Sequence, residues 1–280
     1  MKLIIHGGFF SESSTGNETK VAKQNALKRI LESAYTFLQN HSAAETVVYA
    51  VELLENDSLF NAGIGSQIQS DGVIRMSASL MDGSSKKFSG VINIESVKNP
   101  IRVAEKLISF DDRVLGGEGA ISFARNNKFE HFNTEIPQRR QEYEAKLRSN
   151  GTGTVGCVAL DAHGRLAAAT STGGKGFEIP GRISDSATVA GNFCNEHCGI
   201  SCTGVGEDIV SVAVATKIVT RVTDGMTIEH AFSKTFTELQ SFDGFAGAIG
   251  IDAKGNFYHQ ESHPKIVFGS FDGKEYDVFS

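Results

Sequence analysis

Apolar residues recur at helical spacing in two long segments near the start of the chain. One segment is Asn17–Asn40, and the other is Ala43–Leu54, which follows a capping-box pair formed by Ser42 and Glu45. Because each segment carries a single apolar stripe, the pattern predicts two amphipathic helices that lie side by side on one face of a sheet.

Shorter runs of apolar and β-branched residues predict strands in the same half. Leu3–His6 predicts a short strand, while Val73–Met81 and Gly90–Ile94 are separated by a turn and predict a hairpin. Two further helices are predicted, one over Pro100–Leu107 with proline in its first turn and one over Ala120–Asn126.

The second half of the chain alternates in the same way. Val155–Leu160 and Arg165–Thr170 predict a hairpin, and its turn has a near copy at Ile251–Asn256. Two helices are predicted between these turns, Glu207–Val222 and Thr227–Leu239, and each begins with an acidic residue or a threonine. Strands clustered around pairs of helices indicate an α+β fold, with two stacked sheets covered by helices as a four-layer αββα sandwich.

The composition is that of one large globular domain, residues 1–280, with 40% hydrophobic and 21% charged residues. The net charge of −6 excludes a broadly basic surface, so we expect no nucleic-acid partner. The apolar run within Met1–Gly8 is too short for a signal peptide, and no segment approaches the roughly 20 apolar residues of a membrane span. We therefore expect no membrane partner and a cytoplasmic location.

Residues 127–153 interrupt the alternation of helices and strands. They are polar and charged, have few positions suited to a core, and contain Ser149-Asn150-Gly151 near their end. This composition predicts an exposed linker, in part helical, and marks the one internal boundary of the chain.

Thr154 lies directly after this linker, where a Gly/Thr run meets an apolar strand. If the chain were cut before Thr154, its hydroxyl could act as a nucleophile. The freed α-amino group, with an ordinary pKa of about 7.7–8.0, would then be a base on the same residue.

The same stretch, Gly151–Gly156, also matches the letters of the GxGxxG pattern of dinucleotide-binding loops. That pattern should follow a strand and open a helix. Here a charged linker precedes it and a predicted hairpin follows it, so the context argues against nucleotide binding.

Three of the four cysteines, Cys194, Cys198 and Cys202, are spaced by four residues, with His197 among them. A metal site is one interpretation, but the spacing differs from the paired, short-spaced pattern of zinc ligands. We favour reduced thiols that lie partly in the core.

Polar residues in glycine-rich settings supply the candidates for binding. Arg182 and Asp185 are three residues apart and could hold a zwitterion, or could form a local surface ion pair. Thr203-Gly204 precedes a predicted helix and could supply oxyanion-stabilising donors, or a capping turn. The loop Leu54–Gly65 is either a series of turns or a loop whose carbonyl groups point at a cation.

Several of these motifs, taken together and in order, resemble one known family. The matching stretches are Ile5–Gly8, Phe60–Gly65, Met81–Gly83, Asn99-Pro100, Gly153–Asp161, Ala169–Gly174, Gly181–Ser186 and Ser201–Glu207. They look like the plant-type asparaginase/isoaspartyl peptidase family of N-terminal nucleophile (Ntn) hydrolases. The resemblance covers nearly the whole chain.

The resemblance implies a precursor with the αββα fold that cleaves itself between Gly153 and Thr154. Residues 1–153 would become an α subunit and residues 154–280 a β subunit. The mature enzyme would cleave β-aspartyl dipeptides and the side-chain amide of L-asparagine by acyl transfer. A homodimer of such α/β protomers is implied as well.

The resemblance also implies roles around the nucleophile Thr154. Thr172 would assist the Thr154 hydroxyl, and Asn61 would lie near it. Thr203 and Gly204 would form the oxyanion hole and so contact the substrate.

The remaining implied roles concern binding. Arg182 and Asp185 would bind the α-carboxylate and α-amino group of the aspartyl moiety, and Gly206 would line the substrate pocket. No redox or organic cofactor is expected for the chemistry. A structural sodium ion is implied, with backbone carbonyl ligands from Leu54, Glu55, Asp57, Phe60, Ala62 and Ile64.

The chain departs from the family pattern at four places. Phe9-Phe10 stands where small residues are usual, Ser77 replaces an aspartate, Ser184 replaces a glycine, and Glu261–Lys265 is atypical. The nucleophile and the binding residues are retained, so the reaction class is unaffected. A bulkier rim could favour particular β-aspartyl dipeptides over asparagine, or alter processing.

Two other classes of protein are considered on the same residues. One is a related glycosylasparaginase-like or threonine-protease-like hydrolase, which the missing signal peptide and the short linker argue against. The other is a non-cleaving binding protein on the same scaffold. Retention of Thr154, Thr172 and Arg182 argues against that alternative.

Overall fold

The computed structural model describes residues 1–10, 17–145, 153–263 and 265–280. The helices of this part are α1 (Asn17–Leu38), α2 (Ala43–Glu55), α3 (Pro100–Leu107), α4 (Gly117–Asn126), α5 (Pro137–Glu144), α6 (Gly206–Val212), α7 (Val214–Thr223) and α8 (Ile228–Gln240). The strands are β1 (Lys2–Phe9), β2 (Met76–Asp82), β3 (Lys87–Ile94), β4 (Val114–Gly116), β5 (Val155–Leu160), β6 (Leu166–Thr172), β7 (Asn192–Cys194), β8 (Cys198–Gly204), β9 (Ala246–Asp252), β10 (Phe257–Glu261), β11 (Ile266–Phe271) and β12 (Tyr276–Val278).

The strands form two stacked sheets. The larger sheet has the order β12-β11-β1-β5-β6-β2-β3-β4, and the smaller has the order β10-β9-β8-β7. Strand β7 packs against β2 and β6, β8 against β5 and β6, and β9 against β1 and β5. The central strands β5, β6 and β8 are buried along their whole length. That burial on both faces explains their near-continuous apolar and small-residue runs.

Helices cover the outer face of each sheet. Helices α1, α2 and α3 lie on the larger sheet, and α6, α7 and α8 lie on the smaller one. One apolar cluster fills the space between the larger sheet and its helices, and a second lies under α6, α7 and α8. The architecture is therefore the expected αββα sandwich. None of the described helices is long and apolar enough to span a bilayer.

The start of α2 confirms the predicted capping box. The Ser42 hydroxyl accepts from the Glu45 amide at 3.3 Å, and the Glu45 carboxylate accepts from the Ser42 amide at 2.9 Å. Helix α3 begins at Pro100, where the missing N–H removes no helical hydrogen bond. Helices α1 and α2 pack side by side, as their stripes predict.

The helix predicted over Glu207–Val222 is wrong as a single element. Ala213 has a left-handed backbone with φ of 56° and separates α6 from α7. The apolar stripe nevertheless continues, because Ile209 in α6 and Ile218 in α7 are both buried in the same cluster. The spacing therefore did not reveal the break.

Strand boundaries also differ from the prediction. The predicted strand Val73–Met81 begins only at Met76, because the Val73 carbonyl closes a turn by accepting from the Gln69 amide. Strand β1 continues past His6 to Phe9. The two glycines in this part have no side chains, so the alternation of side chains that indicates a strand is not visible there. Strands β4, β7, β11 and β12 were not predicted.

The predicted linker contains a helix that is fixed in place. Helix α5 has no buried residue, yet Arg139 Nε donates to the Gly65 carbonyl at 2.9 Å. The Tyr143 ring stacks on Phe177 with centroids 5.0 Å apart. This part of the linker is exposed but packed against two loops. Residues 146–152, at its end, lie outside the described residues.

The four cysteines, Cys157, Cys194, Cys198 and Cys202, are buried free thiols. Burial raises the pKa of each thiol, so the neutral form dominates. This agrees with their interpretation as core residues.

Candidate active site

Thr154 lies immediately before β5, next to the end of β6. The pairing of Val155 with Ser171 places Thr154 opposite Thr172. The Thr154 hydroxyl donates to Thr172 Oγ1 at 3.1 Å, and Thr172 Oγ1 also accepts from the Gly174 amide at 3.2 Å. Both threonine side chains are buried. The structure thus brings together the predicted nucleophile and the residue predicted to assist it.

Asn61 lies beside the predicted cleavage site. A Cβ atom on Gly153 would be 2.3 Å from the Asn61 Cβ, so only glycine fits at this position. The Asn61 amide is itself fixed, because Nδ2 donates to the Gly174 carbonyl at 2.5 Å and Oδ1 accepts from the Gln67 amide at 3.0 Å. The placement of Asn61 near the nucleophile agrees with the expectation.

His6 contacts the backbone of Thr154, the predicted nucleophile. The sequence patterns assigned no role to this histidine. Its Nδ1 lies 3.0 Å from the Thr154 carbonyl oxygen, and its Nε2 lies 2.8 Å from Ser201 Oγ. Ser201 Oγ is in turn 2.7 Å from Thr170 Oγ1. All three side chains are fully buried. The signal in the sequence was a histidine at the end of an otherwise apolar strand.

The direction of these hydrogen bonds follows from the protonation of His6. Burial lowers the pKa of His6 to about 3, so the ring is neutral and carries one N–H. A carbonyl oxygen can only accept, so Nδ1 donates to Thr154 and Nε2 accepts from Ser201. Thr170 must then donate to Ser201. The result is one directed chain that ends on the backbone of Thr154.

Arg182 is held by Glu207 rather than by Asp185. Its Nε and Nη2 donate to the two carboxylate oxygens of Glu207 at 2.7 and 2.8 Å, a bidentate pair. These hydrogen bonds lower the pKa of Glu207 to about 2. The local ion pair between Arg182 and Asp185, considered as an alternative, is therefore not the arrangement found. Glu207, in the first turn of α6, is a site residue that sequence reasoning missed.

Asp185 is a buried carboxylate with few interactions that stabilise its negative charge. Within the described residues its Oδ2 atom has no hydrogen-bond partner. Burial raises its pKa to about 7, and the nearby Arg182 charge opposes this rise only in part. A Cβ atom on Gly206 would lie 2.8 Å from Asp185 Oδ1 and 3.0 Å from Arg182 Nη2. The three predicted binding residues are thus in one place.

Two of the departures from the family pattern support this binding loop. Ser184 accepts from the Ser186 amide at 3.3 Å and caps the 3₁₀ turn Asp185–Ala187. Ser77 Oγ accepts from the Asn93 amide at 3.1 Å, and Asn93 Nδ2 donates to the Arg182 carbonyl at 3.1 Å. Both serines therefore position the loop.

Thr203 and Gly204 are the last two residues of β8, which packs against β5 and β6 of the larger sheet. The Thr203 hydroxyl is buried and, among the described residues, accepts or donates no hydrogen bond. It does not cap α6, whose N-cap residue Val205 makes no side-chain capping bond. Gly204 has φ of +141°, and a Cβ atom there would lie 2.5 Å from the Phe245 carbonyl. A free buried hydroxyl at a glycine-only turn suits an oxyanion donor better than a capping turn.

The loop after α2 is tightly folded, and its backbone packs against its own carbonyl oxygens. A Cβ atom on Gly63 would lie 2.3 Å from the Glu55 carbonyl oxygen, and one on Gly65 would lie 1.9 Å from that of Phe60. The carbonyls of Leu54, Asp57 and Ala62 each accept a backbone amide within the loop. Carbonyl oxygens are suitable ligands for a hard cation such as sodium. No group of three or more His, Cys, Asp or Glu side chains in the described ranges is arranged for a metal.

The fold and the site together define a class of protein. An αββα sandwich with a threonine at the start of a central strand, next to a second hydroxyl, is the arrangement of an N-terminal nucleophile hydrolase. Comparison with known sequences gives the family within that class.

A family model described as Asparaginase matches residues 1–150 and 134–279. An isoaspartyl peptidase/L-asparaginase from Synechocystis is 43% identical over 95% of this chain and 86% of its own length. One from Nostoc is 41% identical over 98% and 92%. An isoaspartyl peptidase from Escherichia coli is 34% identical over 91% and 87%. The chain belongs to the Asparaginase family.

We predict that His6→Ala destabilises the folded chain by about 2–4 kcal/mol, because it opens a buried cavity and leaves the Thr154 carbonyl and the Ser201 hydroxyl without their partner. Urea unfolding of an unbroken chain, kept whole by Thr154→Ala, measures the loss. The matched control is His131→Ala at an exposed histidine, expected to change stability by less than about 0.5 kcal/mol. Equal midpoints for the two variants would contradict the structural role of His6.

Proposed function

We propose that the protein is a self-processing threonine hydrolase that cleaves β-aspartyl dipeptides and the side-chain amide of L-asparagine. The observation that carries this proposal is the Thr154–Thr172 hydroxyl pair beside the grouped Arg182, Asp185 and Gly206. The names of the relatives, isoaspartyl peptidase and L-asparaginase, support the same substrates.

The first step is maturation. The Thr154 hydroxyl attacks the Gly153 carbonyl carbon, the Gly153–Thr154 peptide bond breaks, and the acyl group moves from nitrogen to oxygen. Water then hydrolyses the ester, leaving a carboxylate on Gly153 and a free amino group on Thr154. The His6 hydrogen bond to the Thr154 carbonyl fixes the residue during this change.

The second step is turnover. The Thr154 hydroxyl attacks the β-carbonyl of the substrate, and its own amino group takes the proton. Thr203 and the Gly204 backbone stabilise the oxyanion. Ammonia or the amine of the leaving residue departs with a proton, and water releases aspartate from the ester.

The substrate's charged end is bound at Arg182 and Asp185. The Asp185 carboxylate accepts from the α-ammonium group, which supplies the partner that its buried Oδ2 lacks. The α-carboxylate pairs with the guanidinium of Arg182, whose orientation is held by Glu207. The bidentate grip of Glu207 leaves the other guanidinium N–H groups for the substrate.

We also propose that the loop after α2 holds a structural sodium ion. The ligands would be backbone carbonyls of Leu54, Glu55, Asp57, Phe60, Ala62 and Ile64, as the family resemblance implies. The close approach of Gly63 and Gly65 to the Glu55 and Phe60 carbonyls supports this loop shape. The ion would contribute order to the loop that carries Asn61. The homodimer and the cytoplasmic location expected from the sequence stay predictions.

Thr154→Ala is expected to abolish both self-cleavage and hydrolysis, because it removes the nucleophile of both steps. Intact-mass spectrometry under denaturing conditions should give residues 1–153 and 154–280 as separate fragments for the unaltered protein and one whole chain for the variant. Thr154→Ser, which keeps a hydroxyl, is the control and should still be cleaved. A Thr154→Ala chain that hydrolyses β-aspartyl dipeptides would sink the mechanism.

The Michaelis constant should depend on pH through Asp185. Because its pKa is raised to about 7, Asp185 in the free enzyme becomes protonated and loses its negative charge as the pH falls below 7. KM should therefore rise about tenfold per pH unit below about 6.5, since only the ionised form binds the ammonium group. Bound substrate keeps Asp185 ionised, so kcat reports the Thr154 amino group instead. The control is Asp185→Asn, whose KM should not change with pH in this range. A KM of the unaltered protein that stays constant from pH 5 to 8 would contradict the role of Asp185.

Sodium should stabilise the protein beyond any effect of ionic strength. Thermal unfolding in sodium chloride is compared with choline chloride at equal concentration, because ligands that bind only the folded state raise the midpoint. A midpoint higher in sodium is expected. Gly65→Ala should remove the difference, because its Cβ collides with the Phe60 carbonyl. Identical midpoints in the two salts for the unaltered protein would exclude the ion.

A further inference from the structure

Three aromatic rings form a continuous stack beside the proposed oxyanion residues. The rings of Phe9 and Phe245 have centroids 4.7 Å apart at 56°, and those of Phe245 and His263 are 4.6 Å apart at 19°. Phe9 is buried, Phe245 is half-buried, and the His263 side chain is 36% exposed. This aromatic stack, Phe9–Phe245–His263, therefore runs from the core to the surface.

The aromatic stack lies on one side of Thr154, and the charged binding residues lie on the other. Thr154 precedes β5, which pairs with β1 on one side and β6 on the other. Phe9 ends β1, whereas the 3₁₀ turn that carries Asp185 contacts β2 and β6. In the smaller sheet β9 packs against β1, on the same side as Phe9. The nucleophile thus separates an acidic and guanidinium end from an aromatic end.

The aromatic stack also lies against both oxyanion residues, through the Phe9 ring at the strand partner of Thr203 and through the Phe245 backbone at Gly204. Gly247 is the register partner of Thr203, and a Cβ atom on Gly247 would lie 2.8 Å from Phe9 Cζ. The Phe245 carbonyl accepts from the Val205 amide at 2.9 Å, directly after Gly204. The Phe9 ring and the Phe245 backbone therefore flank Thr203 and Gly204, where the substrate's carbonyl oxygen is proposed to bind.

Hydrogen bonds hold the Phe245 backbone and the His263 ring in place without a ligand. The Phe245 amide donates to Asp208 Oδ2 at 2.8 Å. Ser262 bonds to both backbone groups of Ala246, and its Oγ lies 3.0 Å from His263 Nδ1. A surface that is already ordered loses little conformational entropy when a ligand covers it.

We infer that the aromatic stack is the leaving-group subsite, and that it selects β-aspartyl dipeptides whose second residue is aromatic or large and apolar. This inference rests on the proposed function. A β-aspartyl amide has its aspartyl carbon on one side of the carbonyl and its leaving nitrogen on the other. With the aspartyl group held at Arg182 and Asp185, the leaving residue extends toward Phe245 and His263.

The inference accounts for two of the places where this chain departs from the family pattern. Phe9 and the stretch containing His263 are about 250 positions apart in sequence and meet in one stack. An aromatic side chain of the leaving residue can stack on Phe245 and His263. A glycine leaving residue, or the ammonia of asparagine, has no side chain to bury there.

The test compares kcat/KM for β-aspartyl-phenylalanine, β-aspartyl-leucine and β-aspartyl-glycine in the self-processed protein. We expect the phenylalanine dipeptide to exceed the glycine dipeptide by about tenfold or more, because a ring is buried in one case only. The leucine dipeptide should fall between them. Equal values for the phenylalanine and glycine dipeptides would overturn the subsite.

Two variants locate the preference. His263→Ala, at the exposed end, should reduce the ratio to about threefold, and Phe245→Leu should bring it near one, mostly through KM for the phenylalanine dipeptide. Tyr276→Ala breaks a distant ring stack with Phe271, centroids 4.0 Å apart, and is the matched control that should leave the ratio unchanged. Thermal unfolding of each variant separates a folding defect from a lost contact.

The outcomes distinguish this inference from the proposed function. If both variants lower kcat/KM for all three dipeptides and asparagine by the same factor, the stack is structural and the subsite is wrong, although the hydrolase stands. If the unaltered protein hydrolyses none of these substrates, the proposed function itself fails and the subsite fails with it. A ratio that falls in His263→Ala and Phe245→Leu but not in Tyr276→Ala supports both.

Discussion

A directed chain of buried hydrogen bonds from Thr170 through Ser201 and His6 to the Thr154 carbonyl fixes the geometry on which the site depends. It joins β6, β8 and β1 to the residue that precedes β5, and so ties the two sheets together next to Thr154. Each member has one arrangement of donors and acceptors, because the histidine is neutral and a carbonyl can only accept. A buried polar chain with one allowed direction specifies register in a way that an apolar contact does not.

Close backbone approach is the second constraint, and it explains why glycines lie on both sides of Thr154. Gly153 must pass the Asn61 side chain, and Gly156 must pass His6 Nε2, which a Cβ atom would approach to 2.4 Å. Gly206 lets the start of α6 approach the carboxylate of Asp185 and the guanidinium of Arg182. In each case a Cβ atom would occupy the space that the neighbouring side chain takes.

The sequence predicted the layers of the fold and brought together most residues of the candidate site, and what it missed has physical causes. Apolar period and caps located α2 and α3 because those signals are local. The break at Ala213 was missed because α6 and α7 bury one continuous stripe. Glu207 and Ser201 were missed as site residues because their partners, Arg182 and His6, are distant in sequence. Spacing alone cannot show that Arg182 pairs with Glu207 and that, among the described residues, Asp185 Oδ2 has no hydrogen-bond partner.

The aromatic side of the site depends on an irregularity in β1. Residues three apart on a regular strand face opposite sides of the sheet. His6 and Phe9 nevertheless both contact the smaller sheet, through Ser201 and Gly247. The pairing of β1 with β11 shifts register between His6 and Phe9, at Gly8 with φ of +87°. Such a bulge re-aims the next side chain. One strand can therefore hold the Thr154 carbonyl with a histidine and, three residues later, place an aromatic ring on the side opposite Asp185.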